Sequence, residues 1–199
     1  MLIQVPYLQK FNSFDKKWDD TRSSANVRCS VWRTRAAQNG FYNLGDIFIA
    51  GRRTQPEYGY LLRVQTHSKD DILKDPQSYD LIWDDSGSFA SSDLSIWKTI
   101  CPPGYKGLGN VVTGGSDPQS GEIYCLKENY VQEGAMSDWQ YVWNDEGTGA
   151  DAFVTIYRAG NDSSYFTANG FGAVSNRTLQ PDWNPQFLIK GRVLFKNDG

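Results

Sequence analysis

Long apolar runs are missing from this sequence. None of its 199 residues lies in an uninterrupted apolar stretch approaching the about 18 residues that a membrane-spanning helix needs. Histidine is nearly absent as well. The single one, His67, sits in a polar loop context. A catalytic zinc site wants several histidines, and a Ser–His or Cys–His mechanism would rest on this residue alone, with no nucleophile motif around any Ser or Cys. A basic surplus is missing: 20 Lys and Arg stand against 23 Asp and Glu, a net charge of −3. That argues against nucleic-acid binding, which neutralises phosphates with cations, and against charge-driven binding to anionic membranes. No Gly-rich phosphate loop precedes a helix. Helical periodicity is never sustained for about 12 residues; the nearest segment, Ser68 to Tyr79, holds one turn with Ser68 as N-cap. The first residues, Met1 to Pro6, lack a basic n-region and an apolar h-region, so no signal peptide is expected. The location that follows is the cytoplasm, or secretion without a visible signal. Cysteine is scarce and odd in number: Cys29, Cys101 and Cys125, without metal-ligand spacing. Buried thiols in a reducing compartment are the expectation, with a Cys101–Cys125 disulfide as the alternative.

Aromatic residues are abundant, at 14%, with 7 Trp, 11 Tyr and 10 Phe. They recur in order. Trp18-Asp19-Asp20 leads to Trp32-Arg33, Trp83-Asp84-Asp85 to Trp97-Lys98, and Trp143-Asn144-Asp145 to Tyr157-Arg158. The aromatic spacing is 14 in each copy (32 − 18, 97 − 83, 157 − 143). A Gly-rich block follows each pair: Gly40 to Gly51, Gly104 to Gly115, and a degraded Asn169 to Val174. Further apolar blocks follow at Tyr60–Val64, Ile123–Lys127 and Phe187–Lys190, and then at Leu81–Trp83, Tyr141–Trp143 and Val193–Phe195. The last of these repeats the surroundings of Trp18, so the pattern closes on itself and brings the chain ends together. Short β-branched and aromatic runs separated by Gly, Pro, Asn, Asp and Ser read as strands and turns. The expected fold is all-β: one domain over 1–199 with repeats at about 18–82, 83–142 and 143–199, built as a pseudo-threefold β-prism of three four-stranded sheets. A β-trefoil is the alternative. Closed repetition also removes exposed sheet edges.

Copy two carries the fullest pattern, from Trp83 through Asp93, Ile96, Trp97, Pro102, Pro103, Gly104, Tyr105 and Leu108 to Val111. It resembles the vacuolar-protein-sorting family of the Vps-sixty-two type. It is also similar to the adaptor-binding repeats of vacuolar-sorting lipid-transfer proteins and to the β-prism of multivesicular-body-associated proteins. Copy one lacks the key Gly and Pro turns, and copy three lacks the second Trp and the Pro-Pro-Gly-Tyr turn. The resemblance implies recognition of a membrane, lipid or protein without catalysis, and transfers no binding residue.

Trp18, Trp83, Trp143, Trp32, Trp97 and Tyr157 are expected to fill the core. Binding candidates are aromatics outside the repeat: Trp183 with its neighbours Asp182 and Asn184, and Tyr58 and Tyr60. Pro181-Asp182-Trp183-Asn184-Pro185 sets a flat ring beside two hydrogen-bonding side chains, the combination a sugar needs. The acidic turns Asp19-Asp20, Asp84-Asp85 and Asn144-Asp145-Glu146 lack the spacing of a calcium loop, and such residues favour turns. Arg33, Lys98 and Arg158 are expected to pair with those turns. No metal, cofactor or catalytic residue is assigned. Two function classes remain: a recognition module for a glycan or membrane surface, as in a defence lectin or the targeting part of a toxin, and a trafficking adaptor that binds peptide motifs or lipids on a protein or membrane partner. Nothing in the sequence sets the oligomeric state.

Overall fold

The computed structural model describes residues 6–51, 53–65, 68–133, 139–159, 165–166, 171–174 and 187–190. Its elements are almost all strands. Grouped by strand pairing, each copy begins ahead of the expected bounds at 18, 83 and 143, and copy one holds β1 (Tyr7–Phe11), β2 (Phe14–Asp19), β3 (Cys29–Thr34), β4 (Phe41–Tyr42), β5 (Ile47–Ala50) and β6 (Gly59–Arg63). A single turn of helix, α1 (Lys69–Ile72), opens copy two. It continues with β7 (Leu73–Lys74), β8 (Ser78–Asp84), β9 (Ser95–Ile100), β10 (Tyr105–Lys106), β11 (Val111–Thr113) and β12 (Cys125–Lys127). Copy three holds β13 (Val131–Glu133), β14 (Trp139–Asn144), β15 (Thr155–Ala159), β16 (Tyr165–Phe166), β17 (Phe171–Val174) and β18 (Phe187–Lys190).

These strands pair into six antiparallel three-stranded sheets, two per copy, instead of three four-stranded ones. One sheet of each copy is β2-β3-β5, β8-β9-β11 or β14-β15-β17; the other is β1-β6-β4, β7-β12-β10 or β13-β18-β16. The cause is visible in the Gly-rich block of copy one. Phe41-Tyr42 pairs with β6, whereas Ile47–Ala50 pairs with β3. Between them Asn43 and Asp46 are pinned to copy two: the Tyr124 N–H donates to the Asn43 carbonyl at 3.0 Å, and the Asp46 N–H to the Asn110 carbonyl at 3.3 Å. One block therefore serves two sheets. Val193–Phe195, expected to close the pattern, lies outside the described residues.

In all three copies the register slips at one place, between Lys16 and Trp18, Leu81 and Trp83, and Tyr141 and Trp143. A bulge re-aims the next side chain, and here that residue is the tryptophan. Trp18, Trp83 and Trp143 are buried and pack with Val31, Phe48, Leu94, Ile96, Val112, Val154 and Ile156 in one core. The second sheets supply a separate core of Leu8, Leu44, Tyr60, Leu62, Ile72, Leu73, Leu108, Leu126 and Val131. Trp32 and Trp97 correct the core expectation. They are half-buried, cross-strand from Lys16 and Leu81, and their indole N–H groups bond locally to Ser30 Oγ (2.8 Å) and Thr113 Oγ1 (2.9 Å). Tyr157 is buried as expected.

The core tryptophans tie each copy to the next. The Trp18 indole N–H donates to the Ser92 carbonyl (2.8 Å), Trp83 to Ala152 (2.9 Å) and Trp143 to Val27 (2.8 Å). Backbone bonds run beside them: Ser91 N–H to Thr21 O, Asp151 N–H to Ser86 O, and Asn26 N–H to Glu146 O. The three copies thus close a ring.

The recurring cations do not pair with the acidic turns. Arg33 is bidentate on the fully buried Asp46 (2.7 and 2.8 Å) and also reaches Glu122 of copy two (2.8 Å). Asp46 in turn accepts the Val112 N–H at 2.9 Å. The β3 strand carries Arg33 toward the junction with copy two, away from its own acidic turn. Lys98 and Arg158 have no ion pair among the described residues. The cysteine expectation is also corrected. Cys101 and Cys125 form a disulfide, Cα–Cα 5.8 Å, tying the end of β9 to β12 and so joining the two sheets of copy two. Its 24-residue separation stabilises the fold by about 3 kcal/mol. Cys29 is a buried thiol, and burial pushes its pKa up.

The ring gives a direct expectation. Trp83→Phe keeps most of the packing but leaves the Ala152 carbonyl without its donor, at about 1–3 kcal/mol; Trp83→Ala adds a cavity and loses about 3–5 kcal/mol. Chemical denaturation of both variants measures this, and a loss below about 0.5 kcal/mol for Trp83→Ala would remove Trp83 from the core.

Candidate functional site

The ring bonds gather three equivalent loops, residues 19–28, 84–93 and 144–153, at one end of the molecule. Each starts with the acidic turn, and those residues shape it. Asp19 Oδ1 accepts the Thr21 N–H (3.0 Å), Asp84 Oδ1 the Ser86 N–H (3.0 Å) and Asn144 Oδ1 the Glu146 N–H (3.2 Å). The second acid of each turn, Asp20, Asp85 or Asp145, is buried. Asp85 and Asp145 accept the N–H groups of Leu94 (2.9 Å) and Val154 (3.0 Å), closing the loop onto the strand that follows. Burial of Asp19 raises its pKa, but hydrogen bonds from Lys16 and Thr21 outweigh it and hold the carboxyl at about 2. For Asp85 burial prevails, reinforced by the charge of Asp93, and its pKa rises.

With the frame shared, the differences between copies stand out. Six residues beyond each core tryptophan lie Ser24, Phe89 and Gly149; ten residues beyond lie Arg28, Asp93 and Phe153. Phe89 is 87% exposed, and its backbone is left-handed, with φ +55°. Gly149 takes the same conformation at φ +83°, where glycine carries no steric penalty. A phenylalanine there is strained, and its side chain gains almost no burial in return. Strain of this kind concentrates at functional positions.

Beside Phe89 opens a cavity of about 430 Å³, lined by Asp84, Asp85, Ser86, Ser88, Asp93 and Gly115 among others. Asp93 is exposed. The corresponding place in copy one is taken: Arg53 donates to the buried Asp20 through its Nε and to the Asp20 carbonyl at 3.1 Å. A second cavity, about 440 Å³, lies where copies one and two meet and is lined by Arg33, Arg35, Phe41, Tyr42, Glu122 and Tyr124 among others. Its groups are largely engaged with one another. Tyr42 and Tyr124 pack edge to face at 5.1 Å, Lys69 stands 4.9 Å from the Tyr124 ring, Arg63 stands 5.1 Å from the Phe41 ring, and Arg33 is held as described.

A family model described as "Vacuolar protein sorting-associated protein 62" matches residues 3–173. The chain belongs to this family. Among solved structures, this Vps62-family chain is similar to GNIP1Aa from Chromobacterium piscinae, with a TM-score of 0.80 and 22% sequence identity. The match covers 96% of this chain and 38% of that one, so the chain spans well under half the length of its structural neighbour. At that identity the likeness concerns the fold. No curated protein matches the sequence.

Of the residues picked out in the sequence, Trp183, Asp182 and Asn184 lie outside the described residues, as does His67. Tyr58 is exposed at 44%, but Tyr60 is a core residue at 6%; the two rings meet edge to face at 5.6 Å, and Lys10 lies 4.2 Å from the Tyr58 ring. Neither lines the cavity beside Phe89. Phe89 is not among the aromatics singled out in the sequence, and Asp93 enters there only as part of the copy-two pattern. The signal at both positions is that the three copies carry different residues.

The strain at Phe89 is measurable. Phe89→Gly relieves a left-handed phenylalanine while removing almost no burial. Stability in a urea melt is expected to hold or to rise by up to about 1 kcal/mol. A loss above about 1 kcal/mol would show that the ring supports the fold.

Proposed function

We propose that this Vps62-family chain is a non-enzymatic recognition module that meets a carbohydrate-bearing or membrane surface with the loop end of its ring. The observation that carries this reading is Phe89, an exposed aromatic held in a strained backbone at the rim of a polar cavity. An aromatic and polar acceptors side by side suit a target with an apolar face and a hydroxyl edge. Val27 and Phe153, 44% and 47% exposed on the neighbouring loops, add apolar area at the same end. The six sheets are read as a pseudo-threefold β-prism in two tiers, a rigid frame that leaves its loops free to vary.

A second reading, a trafficking adaptor for peptide motifs, is favoured by the family's description, and the three-stranded sheets have edges to which a peptide strand could add. The Cys101–Cys125 disulfide weighs against it, because such bridges persist in oxidising compartments. We therefore place the working environment outside the reducing cytosol.

The test compares wild type, Phe89→Ser and Trp183→Ala on a glycan array and on phosphatidylcholine vesicles with and without phosphatidylserine. Phe89→Ser is expected to lose about 10-fold or more in binding to whichever surface the wild type recognises, while still folded. Loss confined to Trp183→Ala would move the site to that residue, and a wild type that binds no surface would contradict the proposal.

A further inference from the structure

Because the three copies share one frame, each serves as a control for the others. Copy three builds the same left-handed turn with Gly149 in place of Phe89, copy one carries Ser24 there on a backbone that is not left-handed, and Arg28 and Phe153 stand in place of Asp93. The fold therefore requires neither the aromatic nor the carboxylate. Copy two alone has both, and it has them at the same cavity. In copy one the buried acid is neutralised by Arg53; in copy three the acceptor position is a phenylalanine.

The chemistry of the copy-two cavity narrows the ligand. Asp84 spends one carboxylate oxygen on the Ser86 N–H. Its other oxygen and the exposed Asp93 carboxylate have no partner among the described residues. Carboxylate oxygens accept hydrogen bonds, and paired hydroxyls are donors that match them. Phe89 offers a flat ring to an apolar face. Among the described residues no basic side chain lines the cavity, so a phosphate, sulfate or carboxylate brought there would face Asp84 and Asp93 uncompensated.

We propose that the cavity between Phe89 and Asp93 in copy two binds a neutral saccharide, its C–H face on the Phe89 ring and its hydroxyls on the Asp84 and Asp93 carboxylates. This rests on the surface-recognition reading and names its ligand class. Acidic sugars and anionic headgroups are excluded by charge. The site is single, so the other two loops contribute frame and neighbouring surface.

The experiment uses the full chain and four proteins: wild type, Phe89→Gly, Asp93→Asn and, as the control at the equivalent position of copy one, Arg28→Ser. Each is applied to an array of neutral and sialylated glycans and to phosphatidylcholine vesicles, with thermal melts to confirm folding. The wild type binds at least one neutral glycan; Phe89→Gly weakens this about 10-fold or more, and Asp93→Asn weakens it clearly. Arg28→Ser binds as wild type does. Binding to neutral glycans that is equal in all four proteins would overturn the assignment while leaving surface recognition standing. Phe89-dependent binding to sialylated glycans or to vesicles, without neutral-glycan binding, would overturn the saccharide class but keep the loop. Absence of binding to any surface would overturn both.

Discussion

Each core indole N–H donates to the backbone of the next copy and not to its own, and this makes the three copies depend on one another. A three-stranded sheet by itself buries one face poorly and presents two edges. Joined through Trp18, Trp83 and Trp143, the sheets β2-β3-β5, β8-β9-β11 and β14-β15-β17 share one core and satisfy the three donors inside it. An unpaired buried donor is expensive, so each tryptophan both fills space and fixes the position of its neighbour's loop. The bulge before every one of them is the local device that turns the ring inward.

The acceptors of those bonds, Val27, Ser92 and Ala152, lie on the loops at one end of the molecule. The interaction that closes the core thereby sets the loops in a fixed relation. A loop held by its carbonyls can change its side chains freely, because the backbone supplies the structural bond. That freedom appears in the triplets Ser24, Phe89, Gly149 and Arg28, Asp93, Phe153. Repetition supplied three frames, and the chemistry diverged on top of them. The polar lock of Arg33 on Asp46 and Glu122 belongs to the other category. It lies between copies one and two, and its charges are consumed in holding them together.

Much of this was legible in the sequence. The constant 14-residue spacing identified three copies, the Gly and Asp turns identified strands, and the copy-two pattern pointed to the family. The turn role of Asp19, Asp84 and Asn144 followed from the habit of their side chains to accept the N–H two residues on. What stayed hidden depended on long-range partners. The block Gly40 to Gly51 looks like one strand until Asn43 and Asp46 are seen bonded to copy two. Arg33 looks like a partner for a nearby acid until β3 carries it away. Trp97 looks like Trp83 until its outward place in β9 is known. The cysteine pairing is a matter of distance in space, and spacing along the chain leaves it open. Phe89 was hidden for another reason: the copies carry different residues at its position, so the repeat pattern gives it no part, and its exposure and left-handed backbone belong to the folded loop.

Hydrogen exchange of the indole Nε1–H groups, followed by NMR in protein labelled with ¹⁵N-tryptophan, tests the closed ring most directly. If the three copies are held by one another, the indoles of Trp18, Trp83 and Trp143 become accessible only when the whole domain opens. They will then exchange together, with a common free energy equal to that of global unfolding, while the half-buried Trp32 and Trp97 exchange sooner. Three core indoles exchanging at unrelated rates, or as fast as Trp32 and Trp97, would contradict the ring.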